Sequence, residues 1–240
     1  MKKVRFILGV SLLVSLLLLS SVSVCLGSGP FIELSEATSY EVYEGSAGFE
    51  DGKFVIVSKD SAWDRGFVAI QDGVKLGQEL MVELDIQSVA VTSINDMPEM
   101  RFTLYLVPEP VGPTGNWWET ERQRVGGPNY TGEYLAAFLE INQTANVVSL
   151  QLLHKAKDQE FRGSVLFRQD FPFTGAFPGY LRLVIDAYSF NMLYSDRVDV
   201  TRDHRSSIMD WEEVFLVLEV QNVDDNRGGI TLDSLRAMSY

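Results

Sequence analysis

Cysteine is nearly absent from this 240-residue chain: the single one, Cys25, lies close to the N-terminus. Beyond it, disulfide staples, thiol redox chemistry and cysteine-ligated metal sites are all excluded. Histidine is almost as scarce, with His154 and His204 far apart and in no ligand spacing, which argues against zinc. No serine or threonine stands in a nucleophile-elbow pattern, and there is no glycine-rich phosphate loop. No stretch carries a long helical period. Positive charge is also in short supply, 20 Lys and Arg against 33 Asp and Glu, for a formal net charge of -13. Nucleic acid and anionic membrane are both disfavoured as partners, because each repels such a surface. The acidity keeps an exported domain soluble and is compatible with bound calcium without pointing to it.

What positive charge there is opens the chain. Lys2, Lys3 and Arg5 precede an uncharged apolar and small-residue stretch that runs to Glu33. This is the pattern of an export signal, with residues 6–19 as its apolar core and a Ser/Gly-rich stretch at 20–29 that a peptidase could cut after Gly27. The alternative is an uncleaved anchor, since residues 6–27 match the roughly 20 apolar residues needed to cross a bilayer. Either reading puts residues 28–240 outside the cell or on its surface, and membrane contact comes only through that anchor. A lipidated Cys25 would need a small residue before it, and Val24 is branched.

Residues 28–240 are long enough for one large sandwich and short for two domains, and no repeat or linker divides them. Extended pieces are expected at 40–44, 53–58, 66–71, 78–91, 101–107, 133–142, 147–154, 163–168, 180–186, 214–221 and 230–238. Gly48, Asp51-Gly52 and Asp72-Gly73 supply turns, and Asp-Gly beside apolar runs is a hairpin signal. Residues 78–91 are the organising stretch. Leu80, Val82, Leu84 and Ile86 alternate with Met81, Glu83, Asp85 and Gln87, so one face of this strand is buried and the other presents two carboxylates and an amide. Many short strands joined by Gly, Pro and Asn predict an all-β antiparallel sandwich.

The succession of strands at 133–142, 147–153, 179–186, 214–220 and 229–235 resembles the concanavalin A-like lectin and glucanase superfamily in order and texture. That resemblance implies a jelly-roll sandwich whose curved inner sheet binds glycans. The final strands, with Asp224, Asp225, Asn226, Gly228, Gly229 and Asp233, are also similar to the end of several carbohydrate-binding modules, which are jelly rolls too. Glu83, Asp85 and Gln87 resemble the Glu-x-Asp-x-Glu strand of laminarinase-type glycosidases, with Gln87 where the second glutamate would stand. An amide cannot give and take a proton, so no catalytic residue is assigned. A hydrolase or lyase would need another carboxylate beside Glu83, such as Glu140 or Glu219.

Three further features bear on ligands. The connection at 108–131 is longer than usual for a compact domain and carries Trp117 and Trp118 with Glu119, Glu121, Arg122 and Arg124. Indoles stack on sugar rings and charged groups bond hydroxyls, although one indole could equally plug the end of the sandwich. In residues 133–142, Tyr134, Ala136, Phe138 and Glu140 share one face, which Trp63, Asp64, Arg65 and Tyr105 could join. Asp224, Asp225, Asn226 and Asp233 form an oxygen-rich set that could hold calcium or simply make a solvated turn; no metal site and no cofactor is assigned. Asn129 and Asn142 stand in N-glycosylation patterns. The expectation is an exported, non-catalytic, lectin-like domain that binds a glycan through Trp117, Trp118, Glu83, Asp85, Gln87, Tyr134 and Glu140. Its rivals are a glycoside hydrolase or polysaccharide lyase and a structural or adhesive surface protein.

Overall fold

The computed structural model describes residues 31–59, 65–92, 99–111, 125, 132–142, 146–157, 159, 163–172, 179–222 and 227–240. The N-terminal segment, Trp63, Asp64, Trp117, Trp118, Asn129 and residues 224–226 lie outside them. In chain order the strands are β1 (Phe31–Glu33), β2 (Tyr40–Glu44), β3 (Ser46–Glu50), β4 (Lys53–Val57), β5 (Arg65–Ile70), β6 (Val74–Lys75), β7 (Glu79–Thr92) and β8 (Glu99–Val107). They continue as β9 (Tyr134–Asn142), β10 (Val147–Lys155), β11 (Ser164–Pro172), β12 (Gly179–Asp186), β13 (Ser189–Tyr194), β14 (Val198–Asp203), β15 (Glu213–Asn222) and β16 (Arg227–Ser239). Among the described residues the one helical piece is a short 3-10 turn, Ser207–Asp210. No helix there is long and apolar enough to cross a membrane.

Two antiparallel sheets form a jelly-roll sandwich. Sheet I has the order β14-β13-β12-β7-β16-β4-β3 with β1 beside β16; sheet II has the order β11-β10-β9-β8-β15-β5-β2 with β6 beside β15. The consecutive strands β7 and β8 are split between the sheets, and so are β15 and β16, which return to lie beside β8 and β7 respectively. This places two strand pairs of large sequence separation at the centre of the molecule. The sequence pattern explains it: Leu80, Val82, Leu84 and Ile86 of β7 and Val214, Leu216, Leu218 and Val220 of β15 all turn into one core and are almost wholly buried.

In β16 the inward residues change phase, from Ile230 and Leu232 to Leu235 and Ala237. A bulge at Asp233 allows this, because the register passes from Leu232 opposite Ile86 to Ser234 opposite Asp85. A second shift leaves Gln87 as the extra residue on β7, which ends the simple alternation expected through 78–91.

The turn expectations hold in one place and fail in two. Asp51 and Gly52 both have positive φ, 51° and 78°, and close the β3–β4 hairpin as a left-handed two-residue turn must. Asp72-Gly73 reverses nothing: β5 and β6 both pair with β15, so these residues interrupt one line of pairing. Gly48 is inside β3. The chain instead crosses from sheet II to sheet I at Gly45, with φ 71° and a position where a Cβ would stand 2.2 Å from the Val57 carbonyl oxygen. Only glycine fits there.

Leu84 sits fully buried on the central strand, between Leu181 and Leu235. Leu84→Ala is expected to cost about 2–5 kcal/mol in chemical denaturation. A loss under about 1 kcal/mol would mean that the core is not organised around β7.

Candidate functional site

Because β8, β9, β10 and β15 send alternate residues into the core, their remaining residues form rows across the outer face of sheet II. One row reads Arg65, Gln221, Arg101, Glu140, Ser149 and Asp170 across six strands; the next reads Phe67, Glu219, Thr103, Phe138, Gln151 and Arg168. A third, Ala69, Val217, Tyr105, Ala136 and Leu153, is mostly apolar. The face thus grades from polar to apolar along the strands.

The apolar end is covered. Val107, Tyr105, Tyr134, Ala136, Phe215 and Val217 form a second small core with Val111 and Val125, two residues of the long connection between β8 and β9. Tyr43 fixes Val111 by donating to its carbonyl oxygen at 2.7 Å. The polar end is left as an open cavity of about 460 Å³, lined by Arg65, Arg101, Thr103, Tyr105, Tyr134, Phe138, Glu140, Gln151, Leu153, Glu219 and Gln221.

Its charges are matched within the wall. Arg65 lies 3.2 Å from Glu219, which is 3% exposed and also accepts from the Tyr105 hydroxyl at 3.0 Å. Burial, then the charge of Glu219, push the Tyr105 hydroxyl well above its ordinary pKa, so it stays a donor. Arg101 donates to Glu140 through Nη2 at 2.6 Å and Nε at 3.0 Å, with its guanidinium 5.7 Å from the Phe138 ring centre. Beyond the cavity Arg168 and Ser149 both donate to Asp170, at 3.1 and 2.6 Å. These bonds hold the Asp170 carboxyl below its usual range, the one from Ser149 most. Thr103, Gln151 and Gln221 add a hydroxyl and two amides. Such a surface can donate to and accept from ligand hydroxyls, with part of an aromatic ring at its centre.

The expected site residues divide between two faces. Tyr134 and Glu140 line this cavity, and Arg65 and Tyr105 join them. Glu83, Asp85 and Gln87 stand on the outer face of sheet I, with the whole core between. There the Tyr180 hydroxyl donates to Glu83, and Arg182 and Arg236 flank Glu83 in register. Burial, then the bond to Glu83, push the Tyr180 hydroxyl up to about 12. The expectation that Glu140 or Glu219 could act with Glu83 across a glycosidic bond does not survive this geometry, because stacked sheets alone are about 10 Å apart and these side chains point away from each other. Arg101, Thr103, Gln151 and Gln221 were not anticipated. Their signal was present: Arg101, Thr103 and Tyr105, and likewise Glu219 and Gln221, alternate with core residues of β8 and β15.

Where β9 begins, Glu133 ties three elements together. Its carboxylate accepts from His154 Nε2 at 2.9 Å, from Trp211 Nε1 at 3.1 Å and from the Ser207 hydroxyl. Burial alone would raise its pKa; these three bonds outweigh it and keep the group below the ordinary carboxylate range. His204 stands edge-on to His154 at 5.5 Å, near the Phe190 ring, and its buried Nε2 has no partner among the described residues.

Among the described residues no group of three or more His, Cys, Asp or Glu is placed to hold a metal ion. Asp233, the described member of the oxygen-rich set, pairs with Lys53 at 3.2 Å.

No protein-family model matches the chain, and no curated protein is similar to it in sequence. Its fold is similar to that of solved carbohydrate-active proteins. A legume lectin-like domain from Entamoeba histolytica matches with a TM-score of 0.59 at 9% identity, over 84% of this chain and 90% of that one. The carbohydrate recognition domain of Emp46p in its potassium-bound form gives 0.55 at 11% identity, over 83% and 88%. A GH16 protein from a Bacteroides ovatus mixed-linkage glucan locus, in complex with a product, gives 0.51 at 9% identity, over 86% and 99%. The fold is the concanavalin A-like jelly roll, and at these identities the likeness is one of fold alone.

Burial first, and His154 second, lower the His204 pKa below its ordinary value. The fold therefore favours neutral His204, and this contribution is complete above about pH 6.5 and lost as pH falls through the folded value. Thermal stability should decline below about pH 6.5, and less steeply in His204→Phe. Parallel pH profiles for the two proteins would remove His204 from this account.

Proposed function

We propose that the protein is an exported, non-catalytic glycan-binding domain whose ligand lies in the cavity on the outer face of sheet II. The observation that carries the reading is the cavity itself: paired guanidinium and carboxylate groups, two amides and a hydroxyl around Phe138, on a scaffold shared with a carbohydrate recognition domain and a glucan-product complex. Trp117 and Trp118 belong to the proposal as stacking groups. They fall between Val111 and Val125, both of which pack on this face. Glu83, Asp85 and Gln87 face the other way and are left out. Export rests on the basic and apolar N-terminal segment, with residues 1–27 as a signal or anchor.

One observation favours a catalytic alternative, which is that Glu140 and Glu219 line the same cavity. Against it, each carboxylate is engaged by an arginine, and Glu219 by a tyrosine as well.

A polysaccharide pull-down, run with and without calcium and assayed for released reducing and unsaturated ends, separates these readings. Retention without products is expected, and product release would make the domain an enzyme. Replacing Gln151 and Gln221 together by Ala should weaken retention by about tenfold, as should replacing both tryptophans. If those proteins bind normally while Glu83→Ala with Asp85→Ala does not, the site belongs to sheet I.

A further inference from the structure

We infer that the cavity selects uncharged, hydroxyl-rich oligosaccharides and discriminates against uronic-acid or sulfated ones. This deepens the glycan-binding reading and rests on it.

An anionic ligand is ordinarily gripped by an arginine whose two-pronged edge is free to meet a carboxylate or sulfate. Each guanidinium of this cavity already faces a carboxylate of the wall. Arg101 directs both Nε and Nη2 at Glu140, and Arg65 directs Nε at Glu219. The two carboxylates cancel the two cations, so the wall has no net charge. An incoming anion would approach each arginine beside its carboxylate, or displace that carboxylate. Displacing Glu219 leaves a carboxylate that is 3% exposed without its cation, which is strongly unfavourable. Displacing Glu140 places two anions beside one arginine.

The same logic extends past the cavity. Arg168 on the neighbouring strand is already bound to Asp170. A chain of formal charge -13 adds a long-range field that opposes anions. What the wall offers instead suits a hydroxyl, which donates and accepts at once: Thr103, Gln151, Gln221 and the outer lone pairs of Glu140. Polar groups matched internally at neutral charge make the predicted binding insensitive to salt, because no counterions are released and no net charges attract.

The test compares neutral oligosaccharides (cello-, xylo- and manno-series) with anionic ones (oligogalacturonate, oligoalginate and a sulfated galactan) by calorimetry at low and high sodium chloride, using the wild-type protein and Glu140→Gln. Neutral chains should bind with affinity unchanged by salt. Glu140→Gln frees Arg101 and should gain about tenfold in affinity for an anionic series, a gain that high salt removes. Glu140→Ser, which also frees Arg101 within the cavity, is the second variant should Glu140→Gln unfold, and it should show the same gain. Tighter wild-type binding of anionic chains overturns the inference and leaves the glycan-binding reading standing. So does a failure of both variants to gain anionic affinity while neutral chains still bind. If neither class binds any of the proteins, the glycan-binding reading falls and the inference falls with it.

Discussion

The burial of alternate residues along four central strands is the constraint on which the rest depends. β7 and β16 in one sheet, and β8 and β15 in the other, commit alternate side chains to a common core, with a change of phase at the β7–β16 bulges. Two outer faces are left over. On sheet I that leftover face is an alternation of charges around Glu83, flanked by Arg182 and Arg236 and bonded by Tyr180. On sheet II it is a graded face, apolar where the long connection covers it and polar where it opens into a cavity. Both are products of the same alternation, and the second opens into a cavity around Phe138.

The polar end of sheet II is possible because its charges are satisfied from within. Glu219 is nearly inaccessible, and a lone carboxylate there would be strongly destabilising. Arg65 and Tyr105 converge on it from the neighbouring strands β5 and β8, one supplying charge and the other a hydroxyl that burial keeps protonated. Arg101 and Glu140 repeat the arrangement one row along, in register across β8 and β9. A face built this way is fixed before any ligand arrives, which lowers the entropy lost on binding. Glu133 does a comparable job at the other end of the sheet, joining the start of β9 to His154 and to the 3-10 turn through Ser207 and Trp211.

Much of the fold was legible in the residues, because period-two alternation is a local signal. Residues 78–91 announced a central strand with Leu80, Val82, Leu84 and Ile86 inward, and that is what they form. The pieces that escaped are instructive. Residues 198–203, β14, are an edge strand too polar to show a buried face, and β6 is two residues long. β13 did alternate, with Phe190, Met192 and Tyr194 inward, but the Asp186 turn before it gave no glycine or proline to mark it. The site was half legible for a different reason. Alternation tells which residues share a face of one strand, and it is silent on which sheet that strand joins. Glu83 and Glu140 therefore read as candidates for one site although the topology sets them on opposite faces. Arg101 and Gln221 passed unnoticed because they meet across β8 and β15, which are distant parts of the chain.

Mapping the bound ligand by amide chemical-shift changes, with the neutral oligosaccharides that the pull-down retains, tests the central claim most directly. The account predicts changes centred on Arg101, Thr103, Phe138, Gln151 and Gln221, on the outer face of sheet II. Changes centred instead on Glu83, Asp85, Tyr180 and Arg182 would contradict it and move recognition to sheet I.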